Sequence, residues 1–145
     1  MIPKSTSRLV LDTNVCLDLF VYRDPRWQRL VQSMENGEVA CVTREDCRTE
    51  WTLVLEYPRF ALDDRAKQSA LDEFDRLILM TDTYQPSEMT LPVCKDRDDQ
   101  KFLELAATSG AHYLISKDKA LLKLARRVRK LGLFEITTPE HWVAR

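Results

Sequence analysis

Glycine, histidine and paired cysteines are scarce in this sequence. Its 145 residues include only three glycines, Gly37, Gly110 and Gly132, and no two of them lie close together. Loops that cradle phosphates need several glycines at fixed spacing, so nucleotide enzymes of that kind are excluded. The four cysteines form no C-x-x-C pair and the two histidines complete no ligand set with them, which argues against a zinc site. Buried, reduced thiols are the simpler interpretation.

Long apolar runs and an excess of one charge are also missing. No stretch approaches the roughly 18 apolar residues of a membrane-spanning helix, and the N-terminus lacks the apolar core of a secretory signal. We therefore expect a cytoplasmic protein that does not enter a membrane. The net charge of −1, with 44% hydrophobic and 31% charged residues, is typical of a globular protein. At this length, residues 1–145 are expected to form one domain.

Short apolar segments alternate with segments of helical periodicity along the chain. Strands are predicted at 8–11, 38–42, 113–116 and 134–137, with a further short strand left open around 89–93. Helices are predicted after residue 12 and at 24–36, 44–57, 63–80, 98–109, 119–131 and 139–143. This alternation indicates a parallel sheet covered on both faces. The predicted fold class is α/β, a three-layer α/β/α domain whose central parallel sheet has about four to five strands.

Two aspartates come just after predicted strands. Asp12 follows the strand at 8–11, and Asp118 lies two residues after the strand at 113–116. In an open parallel sheet, ligands bind outside the carboxyl ends of the strands, where both side chains are expected. Each aspartate also precedes a helix, so an N-cap is an equally good explanation for either one alone.

Two further acids face the apolar side of their helices. At about 100° per residue, Glu50 falls among the apolar positions of the helix at 44–57, whereas its other Glu residues lie opposite. Asp99 falls in the same way among the apolar positions of the helix at 98–109. A carboxylate on the core side must be paired, protonated or bound to a metal. Partial exposure of Glu50 and stabilisation of Asp99 by the helix dipole are the structural alternatives.

Four carboxylates in one crevice would repel one another unless a cation lies between them. An oxygen-only ligand set, without His or Cys, selects Mg²⁺ or Mn²⁺. The matching chemistry is metal-assisted hydrolysis of a phosphodiester, in which the metal lowers the pKa of a bound water and neutralises the transition state. Asp accounts for 13 of the 23 acidic residues, which is suggestive of such a site.

Four segments of the chain resemble one protein family. In order, they are LVLDTNV at 9–15, EWTLVLEYPRF at 50–60, DRDDQKFLELA at 96–106 and AHYLISKDKALL at 111–122. Each is weakly specific alone, but the four together resemble the PIN-domain (PilT N-terminus) ribonucleases across nearly the whole chain. Within that family the chain is most similar to the VapC-like toxins of toxin–antitoxin pairs. The resemblance implies a Mg²⁺- or Mn²⁺-dependent endoribonuclease that hydrolyses RNA and binds a small antitoxin, and it leaves a homodimer open.

Carried over position by position, the resemblance implies that the catalytic, metal-binding quartet is Asp12, Glu50, Asp99 and Asp118. It adds Asp96 as an extra acid, Asn14 as an orienting amide and Ser116 as a supporting hydroxyl. One position departs from the family's usual Thr-Gly-Asp, because this chain has Ser116-Lys117-Asp118. The resemblance therefore places the cation of Lys117 near the expected metal site, where it can contact phosphate or weaken activity.

Basic residues are concentrated in one short region. From residue 117 to residue 130, seven Lys and Arg stand against a single Asp. Such a stripe can follow an RNA backbone, and the candidate contacts are Lys117, Lys119, Lys123, Arg126 and Arg127. A solvated helix face whose last bases complement the helix dipole is an equally weighted alternative.

Two other functions stay open at the level of sequence. A non-catalytic PIN-like module that binds RNA or a protein is compatible with Lys117 in place of the usual glycine. A phosphatase of the Asp-x-Asp kind beginning at Asp12 ranks lower, because Asn14 replaces the second Asp that its acid–base chemistry needs.

Overall fold

Strands and helices alternate along the chain, as the sequence predicts. The computed structural model describes residue 2 and residues 6–81 and 90–145. Its strands are β1 (Ser7–Leu11), β2 (Val39–Thr43), β3 (Ile78–Met80), β4 (Tyr113–Ile115) and β5 (Glu135–Thr137). Its α-helices are α1 (Thr13–Phe20), α2 (Gln28–Glu35), α3 (Glu45–Val54), α4 (Asp64–Leu77), α5 (Gln100–Thr108), α6 (Lys119–Leu122), α7 (Ala125–Lys130) and α8 (Pro139–Val143).

The five strands form one parallel sheet in the order β3-β2-β1-β4-β5. In the centre, Leu9 of β1 is paired with Cys41 of β2 on one side and with Tyr113 of β4 on the other. After β1, the chain adds β2 and β3 on one side of it. The chain then returns to the centre of the sheet and adds β4 and β5 on the other side of β1. The carboxyl ends of β1 and β4 flank this reversal, which is where open α/β sheets bind their ligands.

Each face of the sheet has its own apolar core. Because side chains alternate along a strand, Leu9 and Leu11 of β1 enter one core, which α1, α2 and α4 cover. Val10 enters the other core, which α5, α6 and α7 cover. The predicted three-layer α/β/α class is therefore confirmed. All four cysteines are buried and unpaired, as expected.

A strand occupies the place where the sequence predicts the end of a long helix. The helix predicted at 63–80 stops at Leu77, and Ile78–Met80 forms β3 at the edge of the sheet. The apolar residues of β3 continue the helical periodicity of α4, so the sequence does not mark where the helix ends. At the edge of the sheet, Leu79 and Met80 are half exposed, and β3 therefore lacks the continuous burial of a central parallel strand. Of the short strand considered around 89–93, residue 89 lies outside the described residues and 90–93 are not in a strand.

Three predicted helices differ in detail from the observed ones. The helix at 24–36 begins with a 3₁₀ turn, Pro25–Trp27, and the helix at 98–109 begins with another, Arg97–Asp99. The basic helix predicted at 119–131 is two helices, α6 and α7, because the Leu124 amide bonds the Leu121 carbonyl in a tighter turn. Within the described part of the chain, no helix is long and apolar enough to cross a bilayer.

Candidate metal centre

Asp12 lies at the carboxyl end of the central strand and is held there by its own backbone. Its amide donates a hydrogen bond to the Ile115 carbonyl at the end of β4, at 3.0 Å, so the two strand ends are fastened together. Its side chain caps α1 by accepting from the Thr13 amide at 2.7 Å. Only 3% of Asp12 is exposed to solvent. The N-cap explanation is therefore correct but incomplete, because a cap does not have to be buried.

Ser116 joins two of the predicted site residues. Its fully buried hydroxyl donates to Asp12 Oδ2 at 2.6 Å and accepts from the Asp118 amide at 2.9 Å. Asp118 in turn caps α6, where its Oδ1 accepts from the Ala120 amide at 2.7 Å. One hydroxyl therefore fixes the distance between the acids that follow β1 and β4.

Three aspartates meet in the crevice, and we refer to Asp12, Asp99 and Asp118 as the aspartate trio. Each offers one carboxylate oxygen, and these oxygens lie within 4.8 Å of one another. Asp99 arrives from the turn before α5 and is 7% exposed. Its Oδ2 is buried and has no hydrogen-bond donor among the described residues. A buried carboxyl oxygen without a hydrogen-bond partner is costly, and a cation between the three carboxyl groups would satisfy it.

The pKa values of two members of the trio also favour a cation at this place. Burial raises the pKa of Asp12 from 3.8 to about 6, although hydrogen bonds from Ser116 and Thr13 oppose this. The pKa of Asp99 is raised further, first by burial and then by the neighbouring Asp118 carboxyl group and the charges of the other acids. Both carboxyl groups thus ionise less readily than a solvated Asp, and Asp99 resists ionisation more strongly than Asp12. Their oxygen-only donor set fits a hard divalent cation such as Mg²⁺ or Mn²⁺.

Glu50 lies beside the trio but has separate partners. On α3, it is partly buried, as the helical periodicity predicts. Its Oε1 accepts from Lys101 Nζ at 2.7 Å, and its Oε2 accepts from the Thr13 hydroxyl. Burial disfavours the Lys101 ammonium, but the hydrogen bond and charge of Glu50 outweigh that effect and raise the pKa of Lys101. Sequence reasoning overlooked Lys101, although it lies only two positions after Asp99.

Asn14 contacts one member of the trio, Asp12, whereas Asp96 caps a neighbouring turn. The Asn14 amide donates weakly to Asp12 Oδ2 at 3.3 Å, and its oxygen accepts from the Lys117 amide at 3.3 Å. Asp96 is exposed and caps the turn that carries Asp99, with its Oδ1 accepting from the Asp98 amide at 3.0 Å. Its charge contributes to the raised pKa of Asp99.

Lys117 is bound to α1. Its ammonium lies 2.6 Å from Asp18 Oδ2 in an ion pair, and the same buried Asp18 oxygen accepts from the Trp27 indole at 3.3 Å. The side chain that replaces the usual glycine is thus anchored to a carboxylate outside the trio. Asp18 was not expected from the sequence, where its position on an apolar helix was the only indication. A role for Lys117 in RNA contact stays a prediction.

The other basic candidates lie on the surface. Four of them are exposed on or between α6 and α7: Lys119, Lys123, Arg126 and Arg127. Because α6 begins at the Asp118 cap, this basic surface starts directly beside the trio. The arrangement is compatible with both interpretations of the stripe, an RNA contact and a solvated helix face.

Replacing Ser116 by Ala is expected to weaken Mn²⁺ binding by about 10–100-fold, the usual cost of losing a group that orients metal ligands. The variant loses the donor to Asp12, so the pKa of that carboxyl rises further and the loss grows as the pH falls. Calorimetric titration with Mn²⁺ between pH 6 and pH 8 measures this. Ser116→Thr keeps the hydroxyl and should bind within about threefold of wild type; equal affinity for Ser116→Ala would contradict the role of Ser116.

Fold and site together define an α/β domain with a carboxylate cluster at the carboxyl edge of its central strands. The sequence model of the PIN domain family matches residues 8–120, and the chain therefore belongs to the PIN domain family. The family resemblance carried by the four segments is thereby confirmed. None of the curated proteins compared with the chain matches its sequence significantly.

A solved structure shows a similar fold. It is the crystal structure of VapBC2 from Rickettsia felis bound to a DNA fragment from their promoter. The match has a TM-score of 0.58 and 12% sequence identity, and it covers 90% of this chain and 98% of the other. At this identity the similarity concerns the fold alone.

Proposed function

We propose that the protein is a metal-dependent endoribonuclease that hydrolyses RNA phosphodiester bonds at the aspartate trio with Mg²⁺ or Mn²⁺. The observation that carries the proposal is the buried Asp99 Oδ2, which has no donor among the described residues and lies in a cluster of three carboxylates. Acids that merely cap helices would be solvated or hydrogen-bonded. Membership of the PIN domain family supports a nuclease activity.

The residues of the chain have separate tasks in this proposal. The trio would hold the divalent cation, which when bound supplies a water of lowered pKa and charge for the transition state. Ser116 and Asn14 orient the ligand Asp12, and Ser116 also fixes the Asp118 backbone. Glu50, held by Lys101, would complete the acidic quartet beside the trio.

The substrate side of the proposal rests on charge next to the site. The trio and Glu50 are anionic, so RNA phosphates need basic groups nearby to approach them. Lys119 and Lys123 are exposed on and after α6, and Arg126 and Arg127 extend this surface along α7. Lys117 begins the same stripe and is partly exposed while paired with Asp18. We assign RNA backbone contacts to these five residues.

We further propose that the protein is the toxin of a toxin–antitoxin pair and that a small antitoxin is its partner. The support is the fold similarity to VapBC2, which its crystal structure describes bound to promoter DNA. A cytoplasmic location agrees with an RNA substrate and with four buried, reduced thiols. A homodimer stays a prediction from the family resemblance.

Purified protein is expected to cleave RNA with Mg²⁺ or Mn²⁺ and to lose this activity in excess chelator. Asp99→Asn should lower the rate about a thousandfold, because a bound metal contributes several kcal/mol to such reactions. The matched control is Asp98→Asn, which removes an exposed carboxyl from the adjacent position and should cleave as wild type does.

The same experiment separates the proposal from its rival. Tight, salt-dependent RNA binding with no cleavage, unchanged by chelator or by Glu50→Gln, would contradict a nuclease and favour a non-catalytic binding module. Equal cleavage by wild type and Asp99→Asn would place any activity outside the trio.

A further inference from the structure

Of the four acids proposed for the site, three lie close together and the fourth, Glu50, has other partners. The aspartate trio gathers without Glu50, which is absent from the group of mutually close carboxylates. Both oxygens of Glu50 are committed to other groups, Oε1 to Lys101 Nζ at 2.7 Å and Oε2 to the Thr13 hydroxyl. Within the described residues, Glu50 is thus the acid of the quartet whose charge is balanced by an ion pair.

Lys101 is itself firmly placed. Besides Glu50, its ammonium donates to the Asp98 carbonyl, and it lies 5.2 Å from the centre of the Phe102 ring. Its side chain is only 19% exposed. These contacts join α3, which carries Glu50, to the turn that carries Asp99. An ammonium group held in this way loses little further entropy by staying beside Glu50.

A second divalent cation beside Glu50 would compete for the same oxygen. Mg²⁺ binds carboxylate oxygens at about 2.0–2.1 Å, and the Lys101 ammonium already lies 2.7 Å from Oε1. Two cations on one carboxylate oxygen repel each other, most strongly where burial limits screening. A second metal at Glu50 would therefore have to displace Lys101 from Oε1, or displace the Thr13 hydroxyl from Oε2 and lie beside the Lys101 charge.

We propose that Lys101 is a positioning residue that keeps the centre to a single divalent cation. Its ammonium group holds Glu50, takes the place of a second cation beside that carboxylate, and leaves the aspartate trio as the ligands of one ion. This inference rests on the proposed function, since it concerns the number of ions at the same centre. Lys101 would thus set the number of bound ions, which the four acidic residues by themselves do not determine.

Titration of the full chain with Mn²⁺, followed by calorimetry and by electron paramagnetic resonance, tests the proposal. Wild type is expected to bind one ion per chain. Lys101→Met frees Glu50 and is expected to bind two, with the second ion at least about tenfold tighter than in wild type, the range seen when metal-orienting groups change. The double variant Lys101→Met/Glu50→Gln should return to one ion, which ties the second ion to Glu50.

Two controls keep the result interpretable. Lys101→Arg retains the charge and should bind one ion. Lys67→Met removes an exposed Lys–Glu pair of similar length, 2.8 Å, elsewhere on the surface and should also bind one ion. Thermal unfolding verifies that each variant is folded, and Lys101→Gln provides a second neutral side chain if Lys101→Met unfolds.

The outcomes separate this inference from the proposed function. Two ions in wild type, or one ion of unchanged affinity in both neutral Lys101 variants, overturn the role of Lys101 and leave a metal-dependent nuclease intact. No Mn²⁺ binding by wild type overturns the proposed function itself, and the inference with it.

Discussion

The Asp12→Asn variant is expected to be more stable than wild type at pH 8 without divalent cations, by about 2–3 kcal/mol. Burial raises the pKa of Asp12 from 3.8 to about 6. Between these two values the folded state keeps a proton that the unfolded state has released, so the stability from this group is present at low pH and lost as the pH rises through about 6. Asn avoids the buried charge and still caps α1.

Urea unfolding in chelator at pH 4 and at pH 8 measures the effect. At pH 4 wild-type Asp12 is largely protonated when folded, so the two proteins should differ by no more than about 0.5 kcal/mol. Under the proposed function, saturating Mg²⁺ at pH 8 should reverse the order, because an ion held by the trio would stabilise the wild-type folded state more than that of the variant. Asp98→Asn, at an exposed position, should show neither change. Equal stability of wild type and Asp12→Asn at pH 8 would contradict the buried charge.

The Trp51→Ala variant is expected to lose about 3–5 kcal/mol of stability, the usual cost of truncating a buried large aromatic. Trp51 is 1% exposed, stacks on Phe74 with ring centres 5.6 Å apart, and meets Phe20 edge-on at 6.1 Å. Trp51 directly follows Glu50 on α3. Its removal leaves a cavity between α1, α3 and α4 that these helices cannot fill without moving.

Differential scanning calorimetry should show a Tm lower by roughly 10–15 °C. Trp51→Phe is the matched control and should cost less than half as much. It keeps an aromatic ring in the stack, and it also removes an indole N–H that has no hydrogen-bond partner among the described residues. A larger loss for Phe than for Ala, or no loss for Ala, would show that this aromatic cluster does not support the fold.

Local patterns were sufficient for most of the fold. The run Leu9-Val10-Leu11 predicts a buried strand because parallel strands covered on both faces are apolar throughout, and these three residues of β1 are indeed buried. The edge strand β3 was missed, because two of its three residues are exposed and its apolar residues prolong the periodicity of α4. The break between α6 and α7 was missed because no Gly or Pro marks it.

The sequence predicted which acids come together at the candidate site. It did not predict that three of them form a cluster while Glu50 pairs with Lys101. Strand ends and helix faces indicated which acids leave the solvated surface, and the structure then gathers three of them. The sequence did not indicate that Glu50 forms an ion pair with Lys101 or that Lys117 pairs with Asp18. Neither pairing has a local sequence pattern, since a long flexible Lys can reach any acid that the fold brings near.

The sequence by itself determined the class of fold, and it indicated the few acids that we propose as metal ligands. These follow from short-range rules of periodicity, capping and residue chemistry. Tertiary structure alone decided which acids meet, because their partners are far apart in the chain: Ser116 reaches Asp12 across 104 positions, and Lys101 reaches Glu50 across 51. Such contacts depend on strand order, which no local pattern of these residues contains.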